Sequence, residues 1–477
     1  MNTPLSRTRF VGVLGISLLA SACASLHPPE HAHAELRQSA PVVVAASDVK
    51  GAWPEAGWWK SYNDPTLNQL VDMAIGTGPT IAGADARIRA AEQDVRVAGA
   101  ALGLSVTAQA SYTRQRLSDN GMIPPDFLGF HWYDQTDLGV AVRYQFDWWG
   151  KQKALIEGAV DRAHASAAER QAATLGLAAA VSSAYFAWQA DSAHITLQEQ
   201  AVALQERLLA IAKARQGADL DNGDTALDAN RQLAALREDL VTARGARQLD
   251  LVNLAGLLGV DASALPTLTV KPLPKVNAAL PDDLGTNLLA RRPDIQASRW
   301  RVEAALRDTD SARASFYPDI SLHALAGLSS IDVGKLLETG SRAPQFGFAL
   351  DLPLFDAGLR RARHSAAVAE LDIAIAAYDD AVVNAAREAG TAVATLQQAG
   401  AQREQRTQQL TAAQALTASA DARQQKELTH AGPGLITRLN ELTQQEQLVR
   451  LDLAAVLADV QLKQALGGEP MPRETKP

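Results

Sequence analysis

The side chains that could do chemistry in this chain are few and bunched. Asp219, Asp221, Asp224 and Asp228 bring four carboxylates close together, set among Gly217, Asn222 and Gly223. Carboxylates so close can bind a cation, share a proton or select ions by charge. The run from Asp219 to Asp224 approaches a calcium loop. Its Gly223, however, comes one place early, and Asn230 stands where the bidentate Glu belongs. Turn chemistry needs the same Asp, Asn and Gly residues, so shaping a turn stays the alternative role for each acid. The 9 histidines are scattered. His164, His194 and His364 fall on helical stretches without carboxylate partners at motif spacing, so packing or surface roles are expected. No catalytic constellation or cofactor motif emerges, and the chain is read as no enzyme.

The lone cysteine points to covalent lipid. Arg7 and Arg9 precede an uncharged run, Phe10 to Ala22, that is too short to span a bilayer and has the layout of an export signal. Cys23 follows Leu19-Ala20-Ser21-Ala22, which resembles the lipobox of bacterial lipoproteins, although Ala20 stands where Leu is usual. Cleavage before Cys23 and its acylation are expected, with an ordinary signal cut near Ala22 as the alternative. Ala24 in place of Asp favours the outer membrane over inner-membrane retention. His27, His31 and His33, among prolines, read as a solvated tether and not a metal site. One cysteine also excludes a disulfide framework and a Cys-based metal centre.

These residues need elements to hold them, and the composition says which kind. Aromatics make up only 5% of the chain, while Ala, Leu, Gln and Arg fill long stretches free of Gly and Pro. Such a chain builds long, close-packed helices more readily than several separate cores. A formal net charge of −8 without a basic block argues against nucleic acid as a partner.

The chain is also written twice. Pro79 to Leu102 aligns with Pro293 to Phe316, with identities at Pro79/Pro293, Ile81/Ile295, Arg87/Arg301, Asp94/Asp308 and four alanine pairs. Further on, Gly150/Gly358, Leu240/Leu448, Leu254/Leu462, Leu258/Leu466 and Gly259/Gly467 align after a small change of offset. A duplicated domain follows. In each copy the apolar period switches from helix to strand and back. Val106, Ala108, Ala110 and Tyr112 alternate with polar or small residues, as do Val140 to Phe146, Ile320 to Ala326 and Phe346 to Leu352. Strands are expected over about 104–117, 135–147, 319–331 and 345–355, with the length and alternation of outer-membrane barrel strands. A soluble hairpin packed on helices would give the same alternation. In lipid, four strands would leave open edges, so the barrel must be shared. Three chains give twelve strands.

After each strand pair comes a stretch without proline, Lys151 to about Gln216 and Leu359 to about His430. As one helix, either would rise roughly 100 Å. Each turns back at a tip, Gly217 to Thr225 and Ala431 to Gly434, and returns to a glycine in C-cap context, Gly259 or Gly467. The segments expected are a signal peptide (1–22), a lipidated tether (23–57), a first repeat (58–265, helical hairpin 151–259), a linker (266–281), a second repeat (282–467, hairpin 359–466) and a tail (468–477). Trp148-Trp149 follows a strand and suits an interfacial aromatic girdle. Trp58-Trp59 is expected on the outside of the helical region.

Four motifs carry a family resemblance: Arg291-Arg292-Pro293-Asp294-Ile295, Trp300 to Ala305, Ala314 to Ile320, and Leu352-Pro353-Leu354-Phe355-Asp356-Ala357-Gly358. They resemble the signature of the TolC-like outer-membrane efflux factors, in the NodT/OprM lipoprotein branch, across essentially the whole mature chain. The resemblance implies a mainly α chain with two transmembrane β-hairpins. Its homotrimer would form a 12-stranded barrel continuing into a long α-helical periplasmic tunnel. It also implies a periplasmic membrane-fusion adaptor and an inner-membrane pump as partners, and export of drugs or other toxic small molecules. In that family, acids at the periplasmic tips line a constriction. Asp219, Asp221, Asp224 and Asp228 are the gate candidates here, although the second tip, Lys426 to Thr437, looks mainly small and neutral. A structural or adhesive trimeric lipoprotein, or a periplasmic adaptor, are the competing readings. The adaptor would not need two strand pairs of membrane length.

Overall fold

The computed structural model describes residues 35–41, 51–120, 122, 124–277, 279–281 and 284–468. The signal segment, Cys23, the three tether histidines and nearly all of the C-terminal tail lie outside them. The helices are α1 (Pro65–Thr77), α2 (Pro79–Ala100), a short α3 (Pro125–Leu128), α4 (Lys151–Gly217), α5 (Gly223–Leu258), α6 (Leu284–Arg291), α7 (Pro293–Ala314), α8 (Leu359–Gln425) and α9 (Gly432–Leu466). The strands are β1 (Ser105–Arg116), β2 (Trp132–Phe146), β3 (Asp319–Ser330) and β4 (Gln345–Asp351). The contacts divide the chain into two units that share several of the helices.

The first unit holds the sheet with residues 88–165 and 299–376. The strands run β1-β2-β3-β4, antiparallel throughout. Val106 pairs with Val142, Val142 with Ala324 and Ala324 with Phe346, so one face carries the apolar alternates of all four strands. The other face carries Ser105, Arg143, His323 and Gly347 in a single register row. β2 begins at Trp132, earlier than its apolar alternation suggests. The ladder continues through Arg116↔Trp132, and Arg114 reaches Asp134 at 3.7 Å across it. β4 stops at Asp351, because Pro353 has no N–H to give a ladder.

Both strand-to-helix joins are held by an aspartate. Asp147 accepts from the amides of Gln152 (3.0 Å) and Lys153 (2.8 Å) and caps α4. Asp356 accepts from the amides of Gly358 (3.1 Å) and Arg360 (3.0 Å) at the start of α8. These amide bonds, the Arg360 one foremost, together with the Arg360 charge hold the Asp356 carboxyl below its usual range against the opposing effect of desolvation. α4 lies close on α7: Gly158 faces the Ala304 carbonyl, and Arg162 meets Asp308 at 2.9 Å.

The second unit contains the main core. Trp58, Trp59, Leu67, Leu70, Val71 and Ile81 pack on Leu177, Val181, Tyr185 and Phe186 of α4, with Leu254 and Leu258 of α5 and Val456 and Val460 of α9. The pair Trp58-Trp59 is therefore core, contrary to the exterior position expected. The tryptophans and Tyr62 form edge-to-face contacts, and their large apolar area is hidden by helices far away in sequence. Asp64 caps α1 through Thr66 N at 3.0 Å and also accepts from Tyr185 (2.7 Å) and Lys271 (2.7 Å). Burial opposes its ionisation, but these donors hold its carboxyl below the usual range. Gly259 and Gly467, at φ 68° and 80°, end α5 and α9. A side chain at either would strike Pro79 or the Arg291 carbonyl. Among the described residues no helix is long and apolar enough to cross a membrane.

Candidate functional site

The first tip is built by a helix that ends and an acid that takes the left-handed turn. α4 ends at Gly217, Asp219 adopts φ 55°, and the Leu220 amide reaches back to the Arg215 carbonyl at 2.9 Å. Asp at a left-handed position is tolerated because its short polar side chain suits that region. Leu220 is left 67% exposed, an uncovered apolar side chain at the end of a charged turn. Asp221 meets Arg215 at 3.5 Å and accepts from the Asn222 amide (2.9 Å) and the Thr225 hydroxyl (3.2 Å). Asp224 accepts from the Asn222 side chain at 2.9 Å. Asp228, one turn into α5, accepts from Arg231 at 2.8 Å and Gln232 at 2.7 Å. Arginine thus faces Asp221 and Asp228, while Asp219 and Asp224 have no ion-pair partner among the described residues.

The second tip repeats this backbone with other charges. α8 ends at Gln425, Glu427 adopts φ 57°, and the Leu428 amide reaches the Arg423 carbonyl at 3.0 Å. Leu428 is 71% exposed. The turn therefore precedes the span Ala431 to Gly434, because Pro433 occupies the first turn of α9, where its missing N–H costs nothing. His430 Nδ1 accepts from the Gly432 amide at 3.0 Å. Asp421 is tied to Arg438 at 2.7 Å. Two opposite charges, Lys426 and Glu427, stand among the mainly small and neutral residues of this tip. Leu220, Leu428 and Glu427 are tip residues that the charge pattern did not single out. The signal was present in the same offset that aligns the repeats, which also matches Arg215 with Arg423, Gln216 with Gln424 and Leu220 with Leu428.

The two hairpins differ again below their tips. In the first, Asp191 on α4 and Asp250 on α5 bring two partly buried carboxyls close enough for their charges to act on each other. Burial, together with the Asp191 charge, pushes Asp250 up to about 6, and burial raises Asp191 as well. The matching positions of the second hairpin are Ala399 and Ala458, both buried.

The remaining sequence candidates sort by contact. His164 lies 4.6 Å from the Trp300 ring, and His364 is buried beside Phe316. Both are packing residues. Trp148 and Trp149 are exposed at the end of β2, Trp149 stacking on Tyr317 and donating to the Pro318 carbonyl at 2.9 Å. The Arg292 motif is a structural clamp: its buried guanidinium donates to Asp294 (2.6 Å), Glu388 (2.7 Å) and the Ala465 carbonyl (3.1 Å).

Comparison with known proteins places these features. The sequence model of the outer membrane efflux protein family matches residues 70–260 and 284–468. The multidrug resistance outer membrane protein MdtP of Escherichia coli strain K12 is 31% identical over 478 residues, spanning 98% of both chains. MdtQ of Escherichia coli O157:H7 is 30% identical over 80% of this chain and 81% of its own. Among solved structures, the outer membrane protein VceC of Vibrio cholerae superposes with a TM-score of 0.76 at 29% identity, covering 87% of this chain and 99% of that one. The outer-membrane channel OprN shares the fold with a TM-score of 0.83 at 24% identity, over 93% and 99% of the two chains.

Proposed function

The chain belongs to the outer membrane efflux protein family and is an outer-membrane efflux channel, and we propose that three copies close one conduit. The observation that carries this is the sheet. β1 and β4 are open edges, and one face exposes Val106, Val140, Phe346, Phe348 and Leu350. Unpaired backbone in hydrocarbon costs several kcal/mol per group, so these edges must be paired by neighbours. Three four-stranded sheets give a 12-stranded barrel with a lumen, and the two similar halves of each chain supply its repeats.

Relatives named multidrug resistance outer membrane proteins support drugs as cargo, and in this reading drugs or other toxic small molecules leave through the conduit without chemistry. The tips meet a periplasmic adaptor, which links them to an inner-membrane pump. Leu220 and Leu428 offer apolar contacts for that docking. Asp219, Asp221, Asp224 and Asp228 set the charge of the entrance, repeated around the threefold axis. Cys23 carries the lipid that tethers the assembled channel to the outer membrane. Labelled fatty acid should enter the wild type and vanish in Cys23→Ser.

Native mass in detergent tests the reading most simply. A species of about three times 50.7 kDa, less the signal segments, is expected. A monodisperse monomer overturns the shared barrel.

A further inference from the structure

The polar face of the sheet carries three separate zones of charge. Asp319 and Asp351 pair across β3 and β4, with Lys151 at 3.5 Å from Asp319. Farther along the sheet, Arg143 pairs with His323 across β2 and β3. Beyond that stands Asp137, which accepts from Ser329 (2.7 Å), Gln135 (3.2 Å) and Ser111 (3.3 Å) on three strands. Asp319 and Asp137 are thus tied to neighbouring donors.

The middle row is not. It reads Ser105, Arg143, His323 and Gly347 across the four strands. The adjacent rows on the same face hold Gln145, Ser321 and Ala349 on one side and Thr107, Ala141, Leu325 and Gln345 on the other. None of these is an acid. Arg114 and Arg116, elsewhere on the sheet, each have a carboxylate, Asp134 at 3.7 Å and Asp119 at 3.2 Å. Arg143 has none among the described residues. The nearest acids along its chain are Asp147, four residues on and engaged with the Gln152 and Lys153 amides, and Asp137, six residues back, roughly 20 Å at the strand rise. His323 is held by the Ser321 hydroxyl at 2.9 Å, and Gly347 beside it leaves open space. An arginine on a polar face without a partner keeps its full charge for whatever passes.

We propose that the Arg143–His323 row is a charge filter inside the barrel that favours anionic groups, such as carboxylates, on the molecules passing through. It rests on the shared barrel, which turns the polar face toward a lumen and repeats the row three times. The exit then opposes the acidic entrance, and a permeant with separated positive and negative groups satisfies both. A filter of charges on a water-filled wall must depend on salt. The screening length is about 10 Å at 0.1 M and about 3 Å at 1 M. The row therefore acts farther into the lumen in dilute solution than in concentrated salt.

Reversal potentials in planar bilayers, across a tenfold KCl gradient centred near 0.1 M, test the row. Arg143→Gln is expected to raise the cation-over-anion permeability ratio by about twofold, a shift that disappears near 1 M salt. His323→Gln should shift it in the same direction by less. Arg143→Lys should keep the wild-type value, which separates charge from packing. If Arg143→Gln conducts as a trimer with an unchanged low-salt reversal potential, the filter is wrong and the barrel stands. If wild-type protein yields no conducting trimer, the shared barrel itself fails and the filter with it.

Discussion

The two hairpin tips share one backbone and differ in nearly every charge. Each places an acid in the left-handed region, Asp219 or Glu427, and then an exposed leucine, Leu220 or Leu428. The first adds Asp221, Asp224 and Asp228. The second has Lys426 and His430 and ties its Asp421 to Arg438. What a duplication keeps in both halves serves a need of both; what only one half has serves a need met once. On that logic we propose that the leucines serve docking, asked of both tips, and the carboxylates ion selection, which one ring could do.

The largest effect should come from what is shared. Replacing Leu220 and Leu428 together by Asp is expected to reduce drug export by tenfold or more, because two apolar anchors are lost and two charges introduced at once. Trimer mass should stay unchanged. Each single variant should fall between, and by similar amounts. A strong loss from one leucine with none from the other breaks the equivalence of the tips.

A smaller effect separates the hairpins below the tips. Asp250 is pushed up to about 6, above its ordinary 3.8, by burial and by Asp191. A carboxyl raised on folding contributes stability below its unfolded pKa and loses it as pH rises through the folded one. The first hairpin should therefore be tighter at pH 5 than at pH 8. The charged group that faces the pair is His194 on α4, which itself lies beside Glu446 of α9. After discounting for partial exposure, a difference of about 1 kcal/mol is expected. Thermal melts at both pH values should show it in wild type and lose most of it in Asp191→Ala/Asp250→Ala, which copies Ala399 and Ala458. A double variant that keeps the full pH dependence would assign it to other groups.

The smallest effect concerns the turn itself. Asp219→Gly and Glu427→Gly each relieve a left-handed side chain, which costs about 1 kcal/mol. Melting temperatures should rise slightly and by similar amounts at both tips. Opposite signs at the two tips would show that the turns are not equivalent.

Much of this was legible in the sequence, for a physical reason. A strand with one face in lipid must alternate, so β1 to β4 announced both their existence and their faces. Long helices free of proline announced the hairpins, and Gly259 and Gly467 their ends. The tip leucines were hidden because a single apolar residue in a turn has no period; only the internal alignment exposes it. Trp58-Trp59 was misplaced since a dipeptide carries no pattern, and three of the helices that bury it, α4, α5 and α9, lie more than a hundred residues away. Pro433 read as a turn when it was a first-turn helix residue, which proline serves equally well.

Charge selection by the first tip alone is tested most directly by single-channel reversal potentials of three proteins: wild type, Asp219→Asn/Asp221→Asn/Asp224→Asn/Asp228→Asn, and Glu427→Gln. Acids repeated around a narrow entrance attract cations more strongly than acids on an open surface. The quadruple variant should lose most of its cation preference and change conductance while remaining a trimer, and Glu427→Gln should stay close to wild type. A quadruple variant with wild-type conductance and ion preference would contradict this, leaving the four acids as turn residues and moving the constriction to the second hairpin.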